Sequence, residues 1–201
     1  MPLQPVCRPA VVLPVRLDNP AMRNLLVWAG GALLAALVAC SPALDWRLAR
    51  LDAPAAELLL PCKPDRGSRP VELVGQKLEM SMVGCEAAGQ VFAVSWVVVP
   101  QGVVPGDVLR HWQRATLAHL HAPADAAQGA AGFVPAGAIP LPEAVRLAAS
   151  GQRADGTPLQ FDAAWFLRRQ GEQTLALHAV VLSNQRNSAV VDNFFSSIQL
   201  K

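Results

Sequence analysis

Leu78, Met80 and Met82 alternate with Lys77, Glu79 and Ser81. A period of two predicts a strand with one buried face over residues 77–83. The turn Glu86-Ala87-Ala88-Gly89 leads into residues 90–99 (QVFAVSWVVV), rich in β-branched and aromatic side chains. The two runs therefore read as an antiparallel hairpin. Upstream, residues 57–61 and 71–74 are short apolar runs of strand type. Downstream, residues 143–149, 159–167 and 174–182 predict three more strands. Ala154-Asp155-Gly156-Thr157 marks one turn between them and residues 168–172 another. Within 159–167, Leu159, Phe161, Ala163, Trp165 and Leu167 share one face.

The period changes twice. After a Pro- and Gly-containing break at 100–106, Asp107 caps a helix running to about residue 121. Leu109, Trp112 and Leu120 fall close to one side, with Thr116 between them; Arg110, Gln113 and Arg114 are polar. Near the C-terminus, Asn187 or Ser188 caps a short helix through residue 195, and 198–200 close the chain. Between them, residues 122–142 are mostly Ala, Gly and Pro without a period. This stretch reads as a surface insertion, the alternative being a mobile lid or recognition loop. Strands, helix, long loop, three strands and helix predict one α+β domain over residues 55–201. Its central antiparallel sheet would be flanked by helices.

The N-terminal stretch has a different logic. Residues 25–38 (LLVWAGGALLAALV) carry no charge. Fourteen residues are too few to span a hydrocarbon core of about 30 Å comfortably. They suit the apolar core of a secretory signal peptide, with Arg23 as its positive flank. Leu37-Val38-Ala39-Cys40-Ser41 resembles the lipobox of bacterial lipoproteins. That resemblance implies cleavage before Cys40 and acyl chains, palmitate among them, on its sulfur and amine. A plain signal peptide with an incidental cysteine and a buried N-terminal helix are the alternatives. Residues 1–39 are thus the signal peptide. The proline-containing stretch 1–21 reads as a start assigned too early, or as a long leader. Residues 40–54 form a lipidated tether, in which Trp46 and Leu48 alternate with charges as an edge strand would. By resemblance to the enterobacterial sorting rule, Ser41 points to the outer membrane, facing the periplasm.

Composition narrows the function classes. Hydrophobic residues make up 52% and charged residues 16%, which excludes intrinsic disorder. The net charge is +2. Residues 1–39 hold Arg8, Arg16, Arg23 and Asp18, so the remaining chain carries as many acidic as basic side chains. A neutral domain has no field to capture nucleic acid or anionic headgroups. Cys62 and Cys85 are left over in an oxidising compartment, which predicts one structural disulfide. A metal pair and a redox pair are the rival readings, though no CxxC spacing supports either.

Motifs for catalysis are absent: no P-loop, no GxGxxG after a strand, no GxSxG elbow, no HExxH and no EF-hand. No cofactor is implied, and the acidic residues are too scattered to define an acid–base pair. His119, His121 and Asp125 would be three metal ligands if the chain curls after the helix; the plainer reading is complementation of the helix dipole. Lys63, Arg66 and Arg69 read as a solvated turn, with an anion or partner patch as the alternative. His178, inside a strand, reads as a hydrogen-bonded structural histidine. Trp96, Trp112 and Trp165 read as core or sheet-face residues.

The phrases LLLPCKPDRGSRPVEL, GQRADGTPLQFDAAWFLRRQGEQTLALHAVVL and VVDNFFSSIQL resemble the opening, the second hairpin set and the closing helix and strand of the PsbP-like sandwich. More narrowly, residues 45–201 resemble uncharacterised lipoproteins of β-proteobacteria. The resemblance implies a fold, a central antiparallel sheet with flanking helices, and no site residues. The expected function is a lipid-anchored, periplasm-facing binding or accessory module without catalysis. The membrane is its partner through acylated Cys40, an envelope protein is a second, and nucleic acid is none. A small periplasmic enzyme and a ligand or metal carrier are the alternatives.

Overall fold

The longest hairpin joins strands 158–170 and 173–183, and both are buried on both faces over most of their length. Phe161, Ala163, Trp165 and Leu167 point to one side of the sheet, Ala164 and Phe166 to the other. A strand apolar on both sides must lie inside a layered structure. The computed structural model describes residues 43–201. The expected signal peptide at residues 1–39, Cys40 and Ser41 lie outside the described residues.

In chain order the elements are β1 (Arg47–Leu51), β2 (Ala56–Leu60), β3 (Asp65–Leu73), β4 (Gln76–Ala87), β5 (Gln90–Val98), α1 (Pro105–His119), β6 (Ala131–Gly132), β7 (Val145–Gln152), β8 (Pro158–Gln170), β9 (Gln173–Ser183), α2 (Ser188–Ser196) and β10 (Gln199–Leu200). A seven-stranded antiparallel sheet has the order β3-β4-β5-β9-β8-β7-β6. A three-stranded antiparallel sheet has the order β1-β2-β10. Two cores result. One face of the large sheet packs on the small sheet and α2 through Phe92, Phe166, Leu177, Phe194 and Phe195. The other face packs on α1 through Val108, Leu109 and Trp112. Residues 42–201 form one compact unit. It contains both cores and the disulfide, so its folding needs nothing from outside it.

This overturns the expected α+β fold with a helix-flanked central sheet. Among the described residues the chain is mostly strand, in two antiparallel sheets, with two α-helices and a 3₁₀ turn at Ala126–Gly129. The strand content escaped the sequence reading for a physical reason. Residues 65–70 of β3 are exposed on both faces. They therefore need no apolar alternation, and DRGSRP looks like a turn. β1 lies inside the stretch read as tether, and β6 and β10 are two residues each.

Three devices lock the layers. Cys62, just past β2, is bonded to Cys85 of β4, which staples the small sheet to the large one. Asp162 of β8 is 2% exposed and accepts both Arg186 Nε and Nη2 at 2.8 Å. Arg146 Nη2 adds a bond of 3.1 Å to Asp162 and one of 2.8 Å to Asp192 of α2, with its guanidinium 4.2 Å over Phe195. The 122–142 segment is tied down as well. Phe133 packs edge-on at 5.8 Å against both Phe166 and Phe195, and Ile139 and Ala136 bridge Leu167 and Gln199. Gly137 has φ +80, and a Cβ there would meet Leu200 O at 2.1 Å.

Candidate functional site

Helix α1 begins at Pro105, with Val104 in the cap position, three residues before the expected cap Asp107. Asp107 instead sits in the first turn and pairs with Arg110, which also reaches Glu143. Proline at the helix start is favoured because its missing N–H has no intrahelical role there. Past the helix, Leu120 O accepts Gln152 N–H at 2.7 Å, which ties the end of α1 to β7. The buried residues Val108, Leu109 and Trp112 seat the helix on the sheet.

Between the C-terminal half of α1 and strands β3, β4, β5 and β9 lies a cleft of about 350 Å³, mostly apolar. Met80, Val97 and Val180 line it from the sheet and Trp112 from the helix. Its volume falls within the range of small-molecule sites. The sequence makes room for it at β5. Ala93 and Ser95 are small, while their neighbours Phe92, Val94 and Trp96 fill the opposite core. Met82 is 41% exposed beside it, an unusual place for a large flexible apolar side chain.

His178 of β9 also lines this cleft. It is 8% exposed and lies between Trp165, stacked at 5.1 Å, and Trp112, tilted at 5.4 Å. Burial pushes its imidazole down to about 3, so it is neutral at pH 7. Its Nε2 has no hydrogen-bond partner among the described residues. The expectation of a hydrogen-bonded structural histidine is corrected here. Two tryptophans supply its surroundings, and their ring faces carry no lone pair or N–H for Nε2. Ser95 stands opposite His178 in the β5–β9 register. The pair is nonetheless ill suited to nucleophilic catalysis. A base held near 3 has little driving force to take a hydroxyl proton at neutral pH.

The sequence-derived candidates fare differently. Cys62 and Cys85 are bonded, as expected. His119, His121 and Asp125 are not brought together: among the described residues no three His, Cys, Asp or Glu side chains gather as a metal would require. His119 belongs to the last turn of α1 and lines the cleft, His121 takes a left-handed conformation at φ +46, and Asp125 precedes the 3₁₀ turn. Lys63, Arg66 and Arg69 do not form one patch either. Positions 66 and 69 lie on a strand, so their side chains leave opposite faces. Arg66 Nη2 donates to Arg50 O at 2.7 Å, while Arg69 borders the cleft. Trp165 and Trp112 are buried and Trp96 is half-buried, all in core or sheet-face positions.

A second, polar cleft of about 570 Å³ lies at the β4–β5 turn and the start of α2, lined by Gln90, Asn184, Arg186 and Ser188. Its cation is already engaged by Asp162. No helix among the described residues is long and apolar enough to cross a membrane.

Fold and site together define a mostly-β domain with a small-molecule-sized apolar cleft under one helix. No family model matches the chain, and the PsbP-like resemblance gains nothing from that comparison. No curated protein matches it. Among solved structures, the chain is similar to LpqN, involved in cell envelope biogenesis of Mycobacterium tuberculosis. Identity is 11% and the TM-score 0.43, with 77% of this chain and 89% of that one covered. A likeness that distant transfers nothing to this protein.

Proposed function

We propose that the protein is a lipid-anchored, periplasm-facing module of the bacterial envelope that binds an apolar ligand in the cleft beneath α1. The cleft carries the reading. A folded domain rarely leaves this much apolar surface unfilled next to a buried polar group without a partner. The anchor rests on residues 23–41, where a positive flank, a fourteen-residue apolar core and a small-residue cysteine motif follow one another. A single acyl chain holds a protein only marginally, and two or more hold it durably. Acylated Cys40 would thus confine the domain to a surface rich in apolar molecules.

Two measurements test this. Replacement of Cys40 by Ala is expected to leave an unprocessed precursor or to free the domain from the membrane fraction. A wild-type protein that fractionates as soluble periplasmic material removes the anchor. For the cleft, a fluorescent apolar probe is expected to bind the 42–201 unit and to be excluded by Ala115→Phe. Ala115 is exposed and borders the cleft, so a ring there fills the opening without entering the core. A probe that binds both forms equally places the apolar site elsewhere.

A further inference from the structure

The cleft has one charged feature its apolar lining does not explain. Arg69 lies on β3 opposite Met80 of β4, on the side that faces α1. It is exposed and forms no ion pair among the described residues. The domain's other strand and loop arginines contrast with it. Arg47, Arg50, Arg146 and Arg186 each hold a carboxylate, and Arg66, Arg153, Arg168 and Arg169 each donate to a neutral oxygen, whereas Arg69 makes no side-chain hydrogen bond among the described residues. Glu72, which also borders the cleft, lies at the register position opposite Lys77 and leaves β3 on the other face from Arg69. On the helix side His119 borders the same cleft.

We propose that the cleft's ligand is an anionic amphiphile, with a single aliphatic or aromatic body beneath α1 and a carboxylate or phosphate head at Arg69. This rests on the reading of the cleft as an apolar ligand site and names the ligand's chemistry. The body would lie along Met80, Val97 and Val180 and under Trp112. The methylene stem of Arg69 would extend that apolar wall, and its guanidinium would present paired N–H donors to two oxygens of the head. Met82, flexible and exposed beside the cleft, would adjust to the length and branching of the body. His178 stays neutral on the cleft wall and adds no charge there.

The test uses the 42–201 unit with dansyl-undecanoate and its methyl ester, which share a body and differ in the head. The acid is expected to bind roughly five- to tenfold tighter than the ester, the range for an ion pair at a partly exposed rim. Arg69→Gln should bring the acid down to the affinity of the ester and leave the ester unchanged. Raising the salt concentration should narrow the acid's advantage in the wild type and do nothing in Arg69→Gln. Displacement of the acid by decanoate or decyl phosphate, and more weakly by decanol, supports the anionic head; the better competitor tells a carboxylate from a phosphate headgroup. Equal affinities for acid and ester in the wild type overturn the proposal while leaving an apolar site in place. So does an acid preference that survives Arg69→Gln. Failure of both probes to bind overturns the proposal and the apolar-site reading together.

Discussion

His178 makes the folded state sensitive to acid. Its proton affinity is lowered from an ordinary 6.5 to about 3 by burial. Above pH 6.5 the imidazole is neutral in both folded and unfolded chains, and burying it carries no protonation penalty. Below that pH the unfolded chain takes up a proton that the folded one refuses, so stability falls until about pH 3. The slope for one such group is about 1.4 kcal/mol per pH unit. Urea unfolding between pH 6 and 4 should show it in the wild type, and His178→Phe should flatten it; an unchanged slope would assign the acid sensitivity to the carboxylates. A second residue-scale expectation concerns Asp162. Arg186→Ala removes both 2.8 Å bonds to a carboxylate that is almost wholly buried. The loss should be roughly 3 kcal/mol or more, read from the urea midpoint. A loss under 1 kcal/mol would show that Arg146 alone satisfies Asp162. At this scale the sequence was readable where chemistry is pairwise. Two cysteines in an oxidising setting have one obvious use. It was unreadable where a role depends on which residues stand across the sheet. Nothing in TLALHAVVL says that Trp112 and Trp165 will enclose His178.

Elements were legible in proportion to how unevenly they are buried. Leu78 and Met80 alternate with polar residues because the first half of β4 buries only its α1 side, Val83 and Cys85 joining the opposite core further on, and β8 and β9 announce themselves by length and apolar density. β3 is an edge strand with little to bury, and its charges and Pro70 suit an edge that must not recruit another strand. The same rule explains the lost basic patch: spacing that looks clustered in a turn is divided between two faces in a strand. The junction of α1 with β7 is a sensitive point. A Cβ on Gly151 would meet Leu120 O at 2.3 Å, and backbone cannot yield as a flexible side-chain tip can. Gly151→Val should therefore push the end of α1 off the sheet, at roughly 1–3 kcal/mol. Hydrogen exchange is expected to quicken around residues 118–121; unaltered exchange would show that the strand bends instead. The Cys62–Cys85 staple should show in the same way. Its 23-residue separation corresponds to about 3 kcal/mol in the chain-entropy description. The double Cys→Ala variant should unfold earlier than the oxidised wild type by that amount, and a reductant that opens the bond should bring the wild type close to the variant.

For the whole molecule, the sequence conveyed strand, turn and helix order but not the division into two sheets. That division depends on pairings between distant segments. β5 pairs with β4 on one edge and with the distant β9 on the other, and β2 pairs with both β1 and the distant β10. Such pairings leave little local trace, since each partner only has to be a plausible strand. The cleft has the same character: its lining runs from Arg69 to Leu182 and exists only once both halves of the large sheet have joined.

The pairing of β2 with β10 also makes the small sheet a late arrival in folding. Leu59 N–H donates to Ser197 Oγ, a partner 138 positions later in the chain. Lys201 N–H donates to Ala55 O, and Leu200 pairs with Ala56. Closing a loop that long comes after the local hairpins have formed. Until then β2 keeps one edge open, and the places of Ile198 and Leu200 are unfilled. A chain cut after Ser196 should therefore be nicked by protease near β2 faster than one that carries residues 197–201; equal resistance would show that β1 and β2 hold without their distant partner.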